Sequence, residues 1–363
     1  MSVRLRCRCG PARAEARAGI PEVLAAVEGL TGRQKAIATA VVAEHIETAQ
    51  PVGSDALRIR HGFACSSATI RNEMVRLARG GFLDQPHTSA GRIPLAPAYR
   101  LYVDGLRVGA GRLDRDITWI QGELRRVAGQ ADAALRLSSG ILSRITRYPA
   151  VVVSPGEPEA RLIDLSLTSV SARNVLLSLL DDQGRSEETL IETAAAVTVA
   201  EIEAAERLLR ERLVGRRLGG GLRLGEADVP DAGLLEGLRK AFEDAGSARV
   251  HVEGTTFILD HPEFGELERL RRMISALTQS PVLRRALEAA AGGEAPAARI
   301  GAEHGIEELR DCSVVAASYA AGGSRTGTVG VLGPMRMRYA LALEMVSTIA
   351  RHLGHSLAQG EER

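Results

Sequence analysis

The sequence predicts an α+β multidomain protein: an N-terminal winged helix-turn-helix, then a mixed α/β domain carrying a helical insertion. Three observations lead there. Helical periodicity opens at Leu30 and runs through short segments into a pair of strand-like stretches; beyond Pro149 the apolar pattern shifts to the period of two of a strand; and charged helical sequence interrupts those strands between residues 198 and 246. A chain of 363 residues that is 45% hydrophobic can bury two or three cores.

The elements follow in order. Residues 1–28 are Arg-rich, lack the apolar core of a secretory signal, and are expected to form a disordered leader; Cys7 and Cys9 within them have no second Cys/His pair at zinc-like spacing. Thr31 and Gln34 make a capping box ahead of Ile37, Val41, Val42 and Ile46, and Pro51 stops that helix. A short helix restarts at Ser54 and ends at Gly62. Ser66 caps a third, in which Ile70, Met74 and Leu77 fall on one side while Ala68, Arg71, Asn72, Val75 and Arg79 fall on the other. Gly80 and Gly81 end it, and "FLDQPHTSAGRIPL" reads as two short strands joined by a tip containing His87, Thr88, Ser89 and Gly91. The winged-helix domain is assigned to 29–107, with Tyr99, Tyr102 and Leu106 packing its last helix, and 108–147 is assigned as a helical linker with one longer helix over 114–142.

A mixed sheet domain is assigned to 148–197 and 247–357, with 198–246 inserted and 358–363 a tail. Ile163, Leu165 and Leu167 alternate with Asp164, Ser166 and Thr168, and "AVVVS" and "NVLLSLL" read as more fully buried strands. Ile202, Ala205, Leu209 and Leu213 line one face of the charged helix that opens the insertion. Strand-like "ARVHVEGTTFILD", a helix, two further strands and a closing helix from Tyr339 complete the chain.

The net charge of +1 excludes a general polycation, so affinity for nucleic acid has to come from a local patch. Residues 30–107 hold ten Arg/Lys against six Asp/Glu, a local net of +4. A helix entering the major groove needs a small polar N-terminus so that backbone and phosphate approach closely. Ser66, Ser67 and Thr69 supply it. Arg71 and Arg76 reach guanine edges or phosphates, Asn72 suits adenine, and Val75 a thymine methyl. Alone, such a helix would be an ordinary amphipathic one; the preceding helix and a wing bearing His87 and Arg92 turn the balance toward double-stranded DNA.

Other constellations are weaker. "GGSRTGTVGVLGP" lacks the Gly-Lys-Ser/Thr ending of a phosphate loop and reads as a hairpin. His261, Glu263 and Glu266, or His352 and His355, are metal-ligating types without a third ligand nearby, and no nucleophile elbow is present; neither catalysis nor a cofactor is expected. Four scattered cysteines, the other two being Cys65 and Cys312, fit a reduced, cytoplasmic chain, and no apolar run of about 18 residues exists to cross a membrane.

The segments "PVGSDAL", "SSATIRNEMVRLARGGFLDQPHTSAGRIP", "YRLYVDGL", "FILDHPEF", "IGAEHGIEELRDCSVV" and "GTVGVLGPMRMRYA" together resemble the HrcA family of bacterial heat-inducible transcription repressors, over roughly residues 30–357. The resemblance implies a winged-helix domain, a GAF-like domain and a dimerising domain inserted into it, with Ile202, Ala205, Leu209 and Leu213 as candidate dimer contacts. It further implies a homodimer that binds the CIRCE inverted repeat upstream of chaperone operons and is held active by the GroEL chaperonin. Carried onto this chain, Ser66, Ser67, Thr69, Arg71, Asn72 and Arg76 are the recognition-helix positions and His87, Thr88, Ser89, Gly91 and Arg92 the wing. The chain departs from the family pattern in its leader and at "LAPAYR", where Leu95, Ala96 and Ala98 replace the usual capping residues. Two rivals remain: a metabolite sensor built on the GAF-like domain, and a metal hydrolase using His261, Glu263, His352 or His355.

Overall fold

The computed structural model describes residues 27, 29–86, 91–106, 114–127, 130–156, 160–182, 184, 186–218, 224–225, 228–245, 248–292, 295–321 and 326–361. The expectations for the leader with Cys7 and Cys9, for His87, Thr88 and Ser89, and for the 219–221 glycines lie outside the described residues. The chain divides into two compact units: residues up to Val153 together with those from Val250 onward, and Ser154–Arg249.

The first unit opens with α1 (Gly32–Thr48), whose capping box forms as expected: Gln34 N–H donates to Thr31 Oγ1 at 3.3 Å and Thr31 N–H to Gln34 Oε1 at 2.9 Å. α2 (Ser54–Arg60) and α3 (Ser67–Arg79) follow. β1 (Leu83–Asp84) pairs antiparallel with β2 (Ile93–Pro94), and Val52, between α1 and α2, bridges to Arg92 through two 2.8 Å backbone hydrogen bonds. α4 (Ala96–Asp104) forms without a side-chain cap at Leu95; Pro97 in its first turn, where no intrahelical N–H is required, starts it instead.

Within the helical linker assigned to 108–147, the one longer helix expected over 114–142 is two helices, α5 (Asp114–Arg126) and α6 (Ala131–Thr146), because Gln130 (φ −116°, ψ 83°) leaves the helical region. β3 (Ala150–Val153) is buried throughout.

The second unit holds β4 (Leu162–Ser171), β5 (Asn174–Asp181) and β6 (Ser186–Glu192), a three-stranded antiparallel sheet of its own, packed on α7 (Val199–Leu213) and α8 (Ala232–Ala245). This corrects two sequence assignments. Residues 162–192 do not join the sheet of β3, so the inserted piece begins at Ser154 rather than Thr198: period-two patterning identifies strands but not which sheet they enter. Ile202, Ala205, Leu209 and Leu213 are buried within this unit, against Leu165, Leu167, Val175 and Leu177 of the sheet. Each large apolar side chain contributes about 1.5–3 kcal/mol by such burial, so that stripe is unavailable to a second subunit. A third difference is local. A register shift between Leu162 and Asp164 reverses the alternation, burying Leu162 and leaving Ile163 52% exposed. The sheet face opposite the helices carries Leu176, Leu180 and Leu190, with Leu176 directly across from Leu190, which is 60% exposed.

The chain re-enters the first unit at β7 (Val250–Glu253), which pairs with β3 so that Val250 faces Val153: the insertion leaves and returns at adjacent strand ends. The strand expected to continue through "FILD" winds instead into a 3-10 turn over Thr255–Asp260. β3 has no more partners to offer, since the residue ahead of Ala150 is Pro149, which has no N–H. α9 (Leu267–Thr278), α10 (Ser280–Ala290), β8 (Ala297–Ile300), β9 (Cys312–Ala320), β10 (Thr326–Pro334) and α11 (Tyr339–Glu361) complete a five-stranded antiparallel sheet of order β7-β3-β10-β9-β8. The apolar core is continuous from α1–α4 through α6 and α11 to this sheet, with Tyr99 of α4 and Tyr339 of α11 6.3 Å apart between ring centroids.

Candidate nucleic-acid interface

The site is built on α3. Ser66 sits in extended conformation and its Oγ accepts the Thr69 N–H at 3.1 Å while lying 3.0 Å from the Thr69 hydroxyl. The two hydroxyls thus begin the helix. Ile70, Met74 and Leu77 are buried, as the 100° rotation per residue requires, and Ala68, Arg71, Asn72, Arg76 and Arg79 are exposed, with Val75 half-buried. Ser67 is half-buried beside the cap.

One residue on the packed side escaped sequence reasoning. Glu73 is buried; its Oε2 accepts from Gln34 Nε2 at 3.1 Å and its Oε1 from Arg76 Nη1 at 3.2 Å. Gln34 therefore caps α1 with one amide atom and fixes α3 with the other. Arg76, expected to be a free reader, is tethered at one nitrogen while its side chain remains 67% exposed. The side chains of Arg71 and Asn72 have no hydrogen-bond partner among the described residues. An acidic residue between Ile70 and Met74, out of phase with the polar face, was the available signal.

Gly91 and Arg92 lie at the base of the β1–β2 hairpin. A Cβ on Gly91 would sit 2.5 Å from both the carbonyl carbon and oxygen of Val52, so glycine is required for the strand-to-strand approach. Arg92 is half-buried and its backbone is spent on the Val52 bridge, which leaves only its side chain for a ligand.

Two arginines missed as site residues hold these helices to the sheet region. Arg100 of α4 donates Nε to Glu303 Oε1 at 3.0 Å, Nη2 to Glu303 Oε2 and to the Ala298 carbonyl, and Nη1 to Asp104 at 3.1 Å. Burial works against this guanidinium, but Glu303 and Asp104 outweigh it and raise its pKa. Arg336 donates Nε and Nη2 to Glu263 and Nη1 to the Ile46 carbonyl near the end of α1 at 3.0 Å. His45 beside it is held below its usual pKa, mainly by burial.

Two side chains of the hydrolase alternative are occupied. Glu263 belongs to Arg336, and His261 stacks on Tyr148 with ring centroids 5.0 Å apart while its Nε2 lies 3.3 Å from the Arg147 carbonyl. Burial pushes the Cys312 thiol up to about 12, far from a reactive thiolate at neutral pH. Among the described residues no three His, Cys, Asp or Glu side chains cluster as a metal centre, and no helix is long and apolar enough to cross a membrane.

Comparison with known proteins decides the family. Residues 132–342 match the family model described as HrcA protein C terminal domain, more than half of the chain. The chain belongs to the HrcA family. Proteins named heat-inducible transcription repressor HrcA are similar to it: that of Halalkalibacterium halodurans at 33% identity, covering 89% of this chain and 96% of the relative, and that of Brevibacillus brevis at 31%, covering 92% and 100%. A solved structure described as "Crystal structure of a hypothetical protein at 2.2 A resolution" is similar with a TM-score of 0.58 and 25% identity over 92% of this chain. The HrcA-family model begins within α6, so α3 and the hairpin are matched through the full-length relatives rather than through it.

Proposed function

We propose that this chain is a homodimeric, non-enzymatic repressor of heat-shock (chaperone) genes, acting in the cytoplasm on double-stranded DNA through a winged helix-turn-helix. The observation that carries the proposal is the pairing of two faces on α3: Ile70, Met74 and Leu77 packed inward, the side chains of Arg71 and Asn72 displayed without partners among the described residues. The order helix, bridging residue Val52, two helices, hairpin supports a winged helix, and the antiparallel five-stranded sheet with its covering helices supports a GAF-like domain. The relatives' name, heat-inducible transcription repressor, supports the regulated genes.

In this scheme Asn72 reads base edges, Ser66, Ser67, Thr69 and Arg71 contact phosphate or base, Arg76 contributes its free nitrogens, and His87, Thr88, Ser89 and Arg92 act from the wing. The operator is the CIRCE inverted repeat, each subunit taking one half-site, and GroEL maintains the active form. The sheet face with Leu180 and Leu190 exposed and Leu176 half-buried offers the second copy an apolar surface in place of the buried α7 stripe. Repression is steric, a bound dimer blocking polymerase.

The test is retardation of a CIRCE duplex against a scrambled duplex, with and without chaperonin, by the parent chain and by Asn72→Ala and Arg92→Ala. Asn72→Ala relaxes base choice, whereas Arg92→Ala weakens all sequences alike. Equal affinity of the parent for both duplexes, or variants indistinguishable from it, overturns the proposal.

A further inference from the structure

A cleft of about 710 Å³ opens in the first unit between α5, the end of β9 and α11, within the size range of small-molecule sites. Its floor is β9 from Ala317 to Ala320, and its walls are Gln121, Leu124 and Arg125 of α5 and Ser347 to Ser356 of α11. Gly354 lets α11 settle there, since a Cβ on it would lie 2.8 Å from the Ala320 carbonyl oxygen. On the opposite wall the Ser356 hydroxyl donates to the Leu124 carbonyl at 3.2 Å and ties α11 to α5.

Among the described residues the permanently charged side chains of the walls are of one sign: Arg125 and Arg351 line the cleft together with His352 and His355, and no Asp or Glu does. His352, 3.3 Å from the Gln121 amide, is held below its usual pKa by burial and by the charges of Arg351, His355 and Arg125. Neither Arg125 nor Arg351 has an ion pair among the described residues, although Arg126 next door pairs with Glu123, and Arg100, Arg136 and Arg147 all have carboxylate partners. The helix dipole does not account for cations here, because its influence is confined to the last turn and Arg351 stands ten positions before Glu361.

We propose that this cleft binds a multiply charged, phosphate-bearing small molecule, clamped between Arg125 of α5 and Arg351 of α11, with His352 at its base. Two guanidinium groups lining one space suit phosphate oxygens, which a guanidinium fork can meet bidentately. A single carboxylate would leave one of the two guanidinium charges uncompensated. The ligand would join the helix that follows the N-terminal module to the helix that covers the sheet. The proposal concerns a site remote from α3 and stands whether or not α3 binds DNA.

The experiment is calorimetric titration of the full chain with inorganic pyrophosphate, with AMP and with citrate, alongside NMR titration of the His352 ring. Expected is binding of pyrophosphate or AMP with Kd below about 1 mM, at least about tenfold weaker in Arg125→Glu and in Arg351→Glu and unchanged in the α10 control Arg284→Glu. Pyrophosphate and AMP binding alike would place recognition in the phosphate alone; tighter AMP binding would add a nucleoside. On the parent protein, a bound anion should also move the His352 pKa upward, a reading that needs no variant to fold. No binding of any probe, citrate binding as well as pyrophosphate, or phosphate binding that leaves His352 and both variants unmoved would overturn the assignment.

Discussion

Replacing Arg100 by Ala is predicted to loosen the N-terminal helices from the sheet region. Arg100 and Glu303 are 12% and 6% exposed at their side chains, and Glu303 keeps only the Ile300 N–H, at 2.9 Å, once the guanidinium is gone. Leaving one partner of a buried, hydrogen-bonded ion pair uncompensated costs about 3–5 kcal/mol. At about 2–4 °C per kcal/mol for a cooperative unit of roughly 150–250 residues, the Tm should fall by about 6–20 °C. The chain's single tryptophan, Trp119, lies on α5 in the same unit, so fluorescence-detected melting reports that unit without the inserted one. The double variant Arg100→Met/Glu303→Leu removes both charges and should recover most of the loss. A shift under about 1 °C in Arg100→Ala, or a double variant worse than the two singles summed, would refute the reasoning.

Other predictions address the interface and its supports. Gly91→Ala should destabilise the hairpin by about 1–3 kcal/mol, because the added methyl meets the Val52 carbonyl at 2.5 Å; amide exchange at Val52 and Arg92 reads the loosened bridge. Glu73→Gln should release Arg76 and slow or weaken operator binding through a less fixed α3, an effect that a duplex-retardation assay detects while the salt slope stays near the parent's. That slope itself should be about −0.9 in log affinity per log salt for each phosphate neutralised, and Arg71→Ala should reduce it by about one contact. His45, His261 and His304 are each held below their usual pKa, chiefly by burial, so the unfolded chain takes up protons first as pH falls. Their contribution is therefore intact above about pH 6.5 and is lost below it; Tm should drop between about pH 7 and pH 5, and His304→Gln should flatten that drop. A pH slope unchanged in His304→Gln would remove that histidine from the account.

Local features were legible because their causes lie within a turn or two of chain. The Thr31–Gln34 box, the Ser66 cap and the two faces of α3 each follow from residues three or four positions apart, and they place Arg71 and Asn72 outward without reference to the rest of the molecule. "LAPAYR", poor in capping side chains, still starts a helix because Pro97 does so by its own ring. Periodicity also distinguished strand from helix over β3 to β5, β9, β10 and α11, though not at "FILD", which winds into a 3-10 turn. It could not say which strands share a sheet: β4–β6 read like β3 and β9, yet they close on α7 and α8, and the stripe expected at a dimer interface was consumed by that closure.

What the sequence by itself determined is the run of helices from Thr31 to Arg79, the displayed face of α3 and the family motifs, since these depend on short-range geometry and residue type. Only the tertiary structure decided that Glu73 meets Gln34 across 39 residues, that Arg100 meets Glu303 across 203, and that Arg125 of α5 and Arg351 of α11 line one cleft with two histidines. A guanidinium is equally at ease in water, in a salt bridge or beside a phosphate, so its partner is chosen by whatever the fold brings within about 3 Å of it.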